Sequence, residues 1–294
     1  MDLRLNSLLA IEREGSFLQA AKSLSLSQPS ISYHIRQLER EYGIKIFNRS
    51  GNTQHLTQEG NVLLRYAQRM ENMENSLRQE LNDMESHVRH LTVGITPTCS
   101  EALLGRVFAS YCSAHPDASI RVVTGSTEQL VERLDSYEID FALVDGAVRA
   151  AHCEVILLDT DYLCVVMSPK HPMSKRSSMT LEELKKESLI LRDGEAGTRR
   201  LFEAGLIERM DHIHNYDVRL EMDNLTSIKE LVMANLGVTV MAYSACRGDI
   251  AAGRLHACTI TGMHLMREIS LIYEDDFTHP EILDEVRKMY AALN

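Results

Sequence analysis

Apolar and polar positions divide the chain into three stretches with different periods. Over residues 1–60, short amphipathic segments alternate with Gly and Ser turns, which predicts a small helical head that ends in a two-stranded hairpin. Residues 61–90 carry one apolar stripe at helical spacing and contain no Pro or Gly, which predicts a single long helix. From residue 91 onward, short apolar runs alternate with helical patterns, which predicts an α/β body.

The segment SLSQPSISYHIRQLE, residues 25–39, predicts a helix with two different faces. Ile31, Ile35 and Leu38 recur at i, i+4 and i+7 and form an apolar stripe. Pro29 suits the first helical turn, because its missing N–H has no helical partner to lose there. The opposite side carries hydrogen-bonding and aromatic groups in place of the usual Glu and Lys, namely Gln28, Ser30, Ser32, Tyr33, His34, Arg36 and Gln37.

The preceding segment, residues 17–24, predicts another short helix, in which Ala20 and Ala21 are small enough for a second helix to cross closely. Two helices joined by a tight turn, the second with a polar face, describe a helix-turn-helix whose second helix enters a DNA major groove. Residues 43–57 predict a wing that places Arg49 beside a phosphate backbone. A small helical packing module with a solvated polar face is the alternative interpretation of the same pattern.

The head contains several short sequence elements at defined spacing from one another. They are Gly15-Ser16-Phe17, Ala20-Ala21, Ser27-Gln28-Pro29, Ile35 with Leu38-Glu39, Phe47-x-Arg49 and Leu56-Thr57-x-x-Gly60. In these elements the head resembles the winged helix-turn-helix of LysR-type transcriptional regulators; one departure is Ile46, where Leu is usual. The resemblance implies a DNA-binding surface made of Gln28, Pro29, Ser30, Ser32, Tyr33, His34, Arg36 and Arg49.

The apolar residues of the predicted long helix follow steps of 4, 4, 3, 4, 4, 3 and 4. They are Val62, Tyr66, Met70, Met73, Leu77, Leu81, Met84 and Val88. This eleven-residue repeat pairs helices in a nearly straight arrangement. A lone helix with one apolar stripe has to bury it, so we expect a partner helix, with packing against its own chain as the alternative. The family resemblance makes it a linker helix that pairs two chains antiparallel, so that two heads address two half-sites.

The body predicts strands near residues 90–96, 118–124, 139–145, 161–168, 188–192, 217–222, 237–243 and 267–273, with helices between them. This alternation implies βαβ units and a parallel sheet, in two sets whose cleft suits a small ligand. The body also resembles the family's effector domain, which is similar to periplasmic solute-binding proteins. By that resemblance subdomain I spans 91–160 and 264–294, and subdomain II spans 161–263.

Ligands of open α/β sheets bind beyond the carboxyl ends of the strands, close to helix N-termini. The turns at those ends offer Thr98, Ser100, Ser126, Thr127, Asp145, Arg192, Thr198, Arg199, Asn224 and Ser227. Hydroxyl groups, helix N-termini and Arg together favour a small anion such as a carboxylate. By resemblance, Thr98 and Ser126 match positions that commonly bind an effector through a hydroxyl. For each candidate, the alternative is a helix cap or turn residue.

Composition and charge narrow the class of protein. The 294 residues are 44% hydrophobic and 25% charged, and neither a membrane-length apolar run nor a signal peptide is recognisable. The six cysteines are scattered, so we expect reduced thiols in the cytoplasm. The net charge is −11, yet residues 1–60 hold seven Lys or Arg against six Asp or Glu, which permits local DNA contacts at the head.

Motifs for catalysis, metals or phosphate loops are not recognisable in the sequence. His212-x-His214 lacks further ligands at zinc spacing, and GEAGTRR, residues 194–200, lacks the Lys-Ser/Thr ending of a P-loop. We therefore predict that the protein is not an enzyme and has no cofactor apart from a small-molecule effector of unknown identity.

The sequence thus predicts an α/β protein with an N-terminal winged helix-turn-helix (1–60), a linker helix for dimerisation (61–90) and a periplasmic-binding-protein-like effector domain of two α/β subdomains (91–294). We expect a bacterial LysR-type regulator that binds a partly palindromic promoter site in double-stranded DNA. Its further partners would be the effector, itself as a dimer or homotetramer, and RNA polymerase, with no membrane. It would lie in the cytoplasm, and on the nucleoid when bound to DNA.

Two alternatives belong to other classes of protein. One is a cytosolic solute-binding protein whose head only mediates oligomerisation, and the other is an enzyme that uses the cleft. The polar face of residues 28–37 counts against the first, because helices that mediate oligomerisation favour apolar faces. The lack of a nucleophile, cofactor or metal motif counts against the second.

Overall fold

The computed structural model describes residues 1–50, 53–86, 88–148 and 153–292, with only the backbone at 49–50, 53–54 and 103–106. The chain divides into two compact units, Met1–His90 with Asp135–Glu138, and Leu91–Leu134 with Ile139–Asn294. Within the described part, we find no helix that combines the length and the apolar character needed to cross a bilayer.

Three helices build the core of the first unit. They are α1 (Leu3–Glu14), α2 (Phe17–Ser23) and α3 (Gln28–Tyr42). Ser16 caps α2 by accepting a hydrogen bond from the Gln19 N–H, and Ser27 caps α3 by accepting one from the Ser30 N–H. Gly15 ends α1 at a φ of 71°, a left-handed conformation that glycine adopts without strain. The helix-turn-helix boundaries therefore follow from local capping chemistry.

A hairpin of two short antiparallel strands, β1 (Phe47–Ser50) and β2 (Thr53–Leu56), follows α3. The turn residues Gly51 and Asn52 lie outside the described residues. The Phe17 and Phe47 rings meet edge to face with their centroids 5.3 Å apart. The Gly-Ser-Phe and Phe-x-Arg elements of the sequence thus contact each other, and this contact anchors the hairpin on α2.

The predicted long helix is present as α4 (Gln58–Ser86), 29 residues in length. Leu64 and Ala67 are buried in the core of the head. The predicted apolar stripe stays largely in solvent, since seven of its members are 43% to 72% exposed in the single chain: Val62, Tyr66, Met70, Met73, Leu77, Leu81 and Met84. The helix ends before residue 90 because residues 89–95 extend into the sheet of the body.

The body contains ten strands among its described residues. They are β3 (Arg89–Ile95), β4 (Ala118–Thr124), β5 (Phe141–Asp145), β6 (Cys153–Met167), β7 (Ser178–Met179), β8 (Ser188–Leu191), β9 (Asp217–Glu221), β10 (Thr239–Ala242), β11 (His256–Ile260) and β12 (Met266–Glu274). The helices are α5 (Pro97–Cys99), α6 (Gly105–Ala114), α7 (Thr127–Asp135), α8 (Leu181–Leu184), α9 (Gly197–Ile207), α10 (Leu225–Met233), α11 (Tyr243–Ala251) and α12 (Pro280–Ala291). A π-helical turn, Ser100–Leu104, joins α5 to α6.

The main sheet has the strand order β4-β3-β5-β12-β6-β11-β7, and β10 also pairs with β6. Strands β3 and β5 are parallel, as predicted. The prediction of a parallel sheet is wrong for β6 and β12, because β12 runs antiparallel to both β5 and β6. These two strands carry the chain between the two halves of the body in opposite directions, which requires the antiparallel arrangement.

Strand β6 belongs to both halves of the body. Its first half, which the sequence did not predict to be a strand, pairs with β12, and its second half pairs with β10 and β11. We call α5–α7, α12 and β3–β5 the first lobe, and α8–α11 with β7–β11 the second lobe. Each lobe buries its own apolar core, around Phe141 and Leu143 in the first and around Val165 and Phe202 in the second. The domain boundaries predicted residue by residue stay predictions.

Candidate functional site

Helix α3 separates its two faces sharply. Ile31, Ile35 and Leu38 are 0%, 4% and 0% exposed, which fixes one side against the head core. On the other side, Gln28, Pro29, Tyr33 and Arg36 are exposed and Ser30 and Ser32 are half-buried. Arg36 is exposed and forms no ion pair among the described residues, so its charge is available to a ligand. The structure thus brings these predicted residues onto one accessible surface.

Of the predicted DNA-binding residues, Ser30 and His34 also contact other residues of the head. The Ser30 hydroxyl lies 2.8 Å from that of Ser27, within the cap of α3. The His34 ring faces α1, with Nδ1 2.7 Å from Ser7 Oγ. Arg49 lies on β1, but its side chain is outside the described residues. The DNA-binding roles of these three residues, and of the other predicted residues of α3, stay predictions.

The Leu-Glu element of the sequence positions the hairpin. Glu39 Oε1 accepts a hydrogen bond from the Ile46 N–H at 3.0 Å, and its Oε2 lies 3.3 Å from Lys45 Nζ. The carboxylate therefore ties the end of α3 to the residues that lead into β1. A wing anchored in this way keeps a fixed position relative to α3.

The carboxyl ends of β3, β4, β8 and β9 surround a cavity of about 300 Å³. Its lining comprises Pro97, Ser100, Glu101, Thr124, Arg192, Asp223, Asn224 and Leu225. Ser100, Arg192 and Asn224 were predicted from the sequence. Both lobes contribute to the wall, because the first four of these residues belong to the first lobe and the last four to the second.

Arg192 is 8% exposed, and its Nε atom is buried without a hydrogen-bond partner among the described residues. The nearest ion-pair partner found for it, Asp193, is 4.0 Å away. Burial lowers the pKa of Arg192, while the negative charges of Asp193, Asp223 and Asp145 oppose that shift. A buried guanidinium with a long ion pair and an unsatisfied donor is unfavourable, so the wall of the cavity carries a weakly compensated positive charge.

A second buried Arg, Arg267, also has a buried Nε atom without a hydrogen-bond partner among the described residues, but its other guanidinium nitrogens are engaged. Arg267, at the start of β12, donates to Asp145, to Thr198 Oγ1 at 3.2 Å and to Asp161 Oδ2 at 3.2 Å. Thr96 also donates to Asp145. This network connects the first lobe, through Asp145, to the second, through Thr198. Asp145 and Thr198, predicted from the sequence as effector ligands, are thus held by internal partners.

The remaining predicted effector residues have cap or packing contacts. Ser126 caps α7, Thr127 donates to the Asp145 carbonyl, Asn224 accepts from the Ser227 N–H, Arg199 pairs with Glu203 and Glu221, and Thr98 is 4% exposed within α5. The contacts of Ser126, Asn224 and Ser227 are helix-cap contacts, whereas Arg199 forms ion pairs and Thr98 is buried. Their effector roles stay predictions.

Contacts between the lobes also close the cleft. Glu101 accepts hydrogen bonds from Thr226 Oγ1 at 2.7 Å and Lys229 Nζ at 2.8 Å. On the exposed side Arg200 pairs with Glu128 at 2.6 Å. Glu101 also lines a further cavity of about 200 Å³, so its side chain stands between the two cavities.

Sequence reasoning missed Glu101, Lys229, Arg267 and Asp161. Arg267 gave a weak signal, because it precedes an otherwise apolar strand. Glu101 directly follows a predicted ligand, but its partners in α10 are more than a hundred residues away in the chain. Across the described ranges, groups of three or more His, Cys, Asp or Glu arranged to hold a metal ion are not found.

Comparison with known proteins places the chain in a family. The model of the LysR substrate binding domain matches residues 85–292, and that of the bacterial regulatory helix-turn-helix protein, lysR family, matches residues 3–61. A probable RuBisCO transcriptional regulator of Trichormus variabilis is 26% identical over 274 residues, which are 92% of this chain and 81% of that protein. The HTH-type transcriptional regulator CysL of Bacillus subtilis is 26% identical over 275 residues, 92% of this chain and 89% of CysL.

Among solved structures, full-length CbnR in complex with its target DNA has a TM-score of 0.67 at 19% identity, and the match covers 100% of both chains. At that identity the likeness shows the fold, a helix-turn-helix followed by a substrate-binding domain. The substrate-binding model alone spans more than half of the chain. The chain therefore belongs to the LysR family of bacterial transcriptional regulators, with an N-terminal helix-turn-helix and a C-terminal substrate-binding effector domain.

Proposed function

We propose that this regulator reads a promoter site through the exposed face of α3 and changes its action when a small anion binds beside Arg192. The observation that carries the proposal is the buried guanidinium of Arg192 in the wall of a cavity between the lobes, with an unsatisfied Nε atom and with Asp193 4.0 Å away. Proteins rarely leave a buried charge so weakly paired, so the ligand is expected to complete its hydrogen bonds.

The other lining residues define the kind of anion. Ser100, Thr124 and Asn224 add neutral hydrogen-bonding groups around the guanidinium. Glu101 and Asp223 place negative charge on the same wall, which disfavours a polyanion. A carboxylate, or another small anion of low charge, with a polar body satisfies these constraints, and charge-assisted hydrogen bonds to Arg192 would fix its orientation.

The position of the cavity provides the means of regulation. A ligand that touches both Ser100 in the first lobe and Arg192 in the second favours the arrangement of lobes in which both contacts exist. Such a ligand shifts the population toward that arrangement only by its difference in affinity between the two states. The switch is thus expected to work through small changes between lobes that share β6 and β12.

DNA reading is assigned to α3 because its exposed residues suit a major groove. Gln28, Ser32 and Arg36 are of the types that hydrogen-bond base edges and phosphates, and Tyr33 offers an exposed ring. CbnR, which shares this fold, was solved in complex with its target DNA. We expect Arg49 to contact a phosphate from the wing.

The apolar stripe of α4 is assigned to a second copy of the chain. Its seven largely exposed side chains extend over 23 residues, from Val62 to Met84, which is too long an apolar surface to leave in water. Two copies paired along it would present two heads to a partly palindromic site, and tetramers would form from such dimers. We further expect RNA polymerase as the downstream partner, cytoplasmic location with nucleoid association on DNA, and no catalytic step.

The DNA-binding part is tested with the purified full chain and the DNA immediately upstream of its own gene, at two salt concentrations and with excess nonspecific competitor. We expect a competitor-resistant complex whose affinity falls steeply with salt. Arg36→Ala should weaken it, whereas Arg287→Ala, which removes the same charge from an exposed site on α12, should not. If the parent protein binds neither this DNA nor any sequence from a random library, the proposal is wrong.

The effector part is tested by thermal unfolding against a panel of small carboxylates and their uncharged amides. A carboxylate that raises the Tm should lose its effect in Arg192→Gln and keep it in Arg219→Gln, an exposed site in the second lobe. If an uncharged amide raised the Tm of the parent protein as much as the matching carboxylate, the proposal that the ligand is an anion would be wrong. Stabilisation retained in Arg192→Gln would place the site elsewhere.

A further inference from the structure

The side chain of His34 lies on the buried side of α3. It follows Ile31 by three residues and precedes Leu38 by four, the spacing that places side chains on one face of a helix. Its Nδ1 atom is 2.7 Å from the hydroxyl of Ser7, which is 0% exposed inside α1. His34 thus forms a polar contact where α3 packs against α1, whereas its neighbours Tyr33 and Arg36 are exposed.

The Ser7 hydroxyl lies within hydrogen-bond distance of two groups. It is 3.0 Å from the Leu3 carbonyl oxygen within α1 and 2.7 Å from His34 Nδ1 across the helix contact. A hydroxyl can both donate and accept, so Ser7 and His34 Nδ1 share one hydrogen bond whichever of the two carries the proton.

A second polar contact joins the same helices. Arg4 Nη1 lies 2.5 Å from Glu41 Oε2, and this pair is partly exposed. The partly exposed side chains of Arg4 and Glu41 can pair in several conformations. The hydrogen bond to the buried Ser7 hydroxyl restricts His34 to few positions. His34 also lies in the half of α3 that carries Gln28, Ser32 and Arg36, where a small rotation of the helix moves each side chain relative to a base.

We propose that His34 is a positioning residue for DNA recognition: the hydrogen bond between its Nδ1 and the Ser7 hydroxyl sets the rotation of α3 about its own axis and thereby selects which side chains reach the bases. The proposal rests on the proposed DNA binding by α3. It replaces the sequence-based prediction that His34 itself contacts a base.

Two substitutions separate this role from a direct DNA contact. The amide nitrogen of Asn and the Nδ1 atom of His are both two bonds from Cβ. The amide nitrogen of Gln and the Nε2 atom of His are both three bonds from Cβ. His34→Asn can therefore keep the bond to Ser7, and His34→Gln keeps only a donor at the Nε2 position. Ser7→Ala removes the bond from the other side and leaves His34 in place.

The experiment measures Kd of the full chain for a duplex enriched by the parent protein from a random library, and for a scrambled duplex, over a range of salt. We expect Ser7→Ala and His34→Gln to lower the ratio of specific to nonspecific affinity roughly three- to tenfold, the effect of one internal hydrogen bond. His34→Asn should stay within about twofold of the parent protein by the same scale. The double variant Ser7→Ala/His34→Gln should be no worse than either single variant.

The salt dependence gives an independent readout. A positioning residue neutralises no phosphate, so the slope of log Kd against log salt should stay unchanged in these variants and fall by about one in Arg36→Ala. Thermal unfolding establishes that each variant is folded.

Other outcomes overturn the inference. Retained specificity in His34→Gln with loss in His34→Asn would indicate a base contact through Nε2. Parent-like binding by Ser7→Ala and His34→Gln would show that the bond has no role in recognition, although the proposed function would stand. If the parent protein enriched no sequence at all, both proposals would fail.

Discussion

Gly60, in the first turn of α4, lies directly against the carbonyl group of Ile46. A Cβ atom added to Gly60 would be 2.3 Å from the Ile46 oxygen and 3.1 Å from Thr57 Oγ1. Thr57 joins the two segments, because its hydroxyl donates to the Lys45 carbonyl and accepts from the Gly60 N–H. The Leu-Thr-x-x-Gly element is therefore a close contact between the linker helix and the base of the wing.

Gly60→Ala is expected to destabilise the protein, because a methyl group has no room beside a backbone carbonyl. We expect a loss of about 1–3 kcal/mol in the free energy of unfolding, measured by urea denaturation. Gly248→Ala is the matched control, since Gly248 is helical and nothing lies within 4 Å of its added Cβ. That variant should gain up to about 1 kcal/mol from helix propensity. Equal effects of the two substitutions would contradict the close contact.

Arg192 and Arg267 are both buried, yet their replacement by Met should act in opposite directions. Arg192→Met removes a buried charge whose carboxylate partner, Asp193, is 4.0 Å away, and should raise the free energy of unfolding of the ligand-free protein by about 1 kcal/mol. Arg267→Met leaves the carboxylates of Asp145 and Asp161 uncompensated, and should lower it by about 3–5 kcal/mol. Urea denaturation without added ligand measures both. A destabilising Arg192→Met would show that its charge is already well compensated.

Asp211 makes stability depend on pH in the acid range. Asn215 holds the pKa of Asp211 below its ordinary value, together with Lys185, the His212 N–H and Tyr216. A lowered carboxyl pKa contributes stability that is present above the unfolded pKa of about 4 and is lost as pH falls through the folded pKa. Asp211→Asn should therefore lower the urea midpoint at pH 7. The difference in midpoint between this variant and the parent protein should shrink below about pH 4.

The control for this pH dependence is Asp284→Asn, on the exposed surface of α12, where 62% of the carboxylate side chain is exposed. Its midpoint should stay close to that of the parent protein at both pH values, as for most surface substitutions. A difference between Asp211→Asn and the parent protein that stays constant from pH 7 to the acid limit would contradict a lowered pKa for Asp211.

The stripe of α4 predicts how the chain associates. Leu77 and Leu81 are 56% and 54% exposed in the single chain, and carboxylates at both positions would be buried in any paired form. Leu77→Asp/Leu81→Asp should therefore lower the mass measured by analytical ultracentrifugation to that of the monomer. Asn75→Asp adds a charge about half a turn away on the same helix and should leave the mass unchanged. An unchanged mass in the double variant would exclude this stripe as the interface.

Much of the head could be predicted from the sequence because its signals are local. The periodicity of Ile31, Ile35 and Leu38, the Ser27 cap and the Gly15 stop all act within a few residues of one another. The same locality explains why α4 was predicted as a single helix. What periodicity did not reveal was that His34 faces Ser7, since their contact depends on how two helices cross.

The body was predicted less completely, because its decisive contacts are distant in the chain. The carboxyl ends of strands indicated where Ser100, Arg192 and Asn224 meet. The partners of Arg267 are 69 to 122 residues away in the chain, so local patterns could not indicate that Asp145 and Thr198 are engaged with it. The first half of β6 was missed because residues 155–158 are all apolar, so their types show no alternation, although Val155 and Leu157 are about half exposed in the structure.

The chain enters the second lobe along β6 and leaves it along β12. The two strands lie side by side, with Asp161 opposite Arg267 and Tyr162 opposite Met266 in one antiparallel ladder. Residues 162–265 are thus an insertion whose two ends are adjacent, separated only by the spacing of paired strands. A block bounded in this way can be exchanged between relatives without changing the path of the host chain. Effector preference therefore has an evolutionary route, and an engineering one, that leaves the helix-turn-helix head untouched.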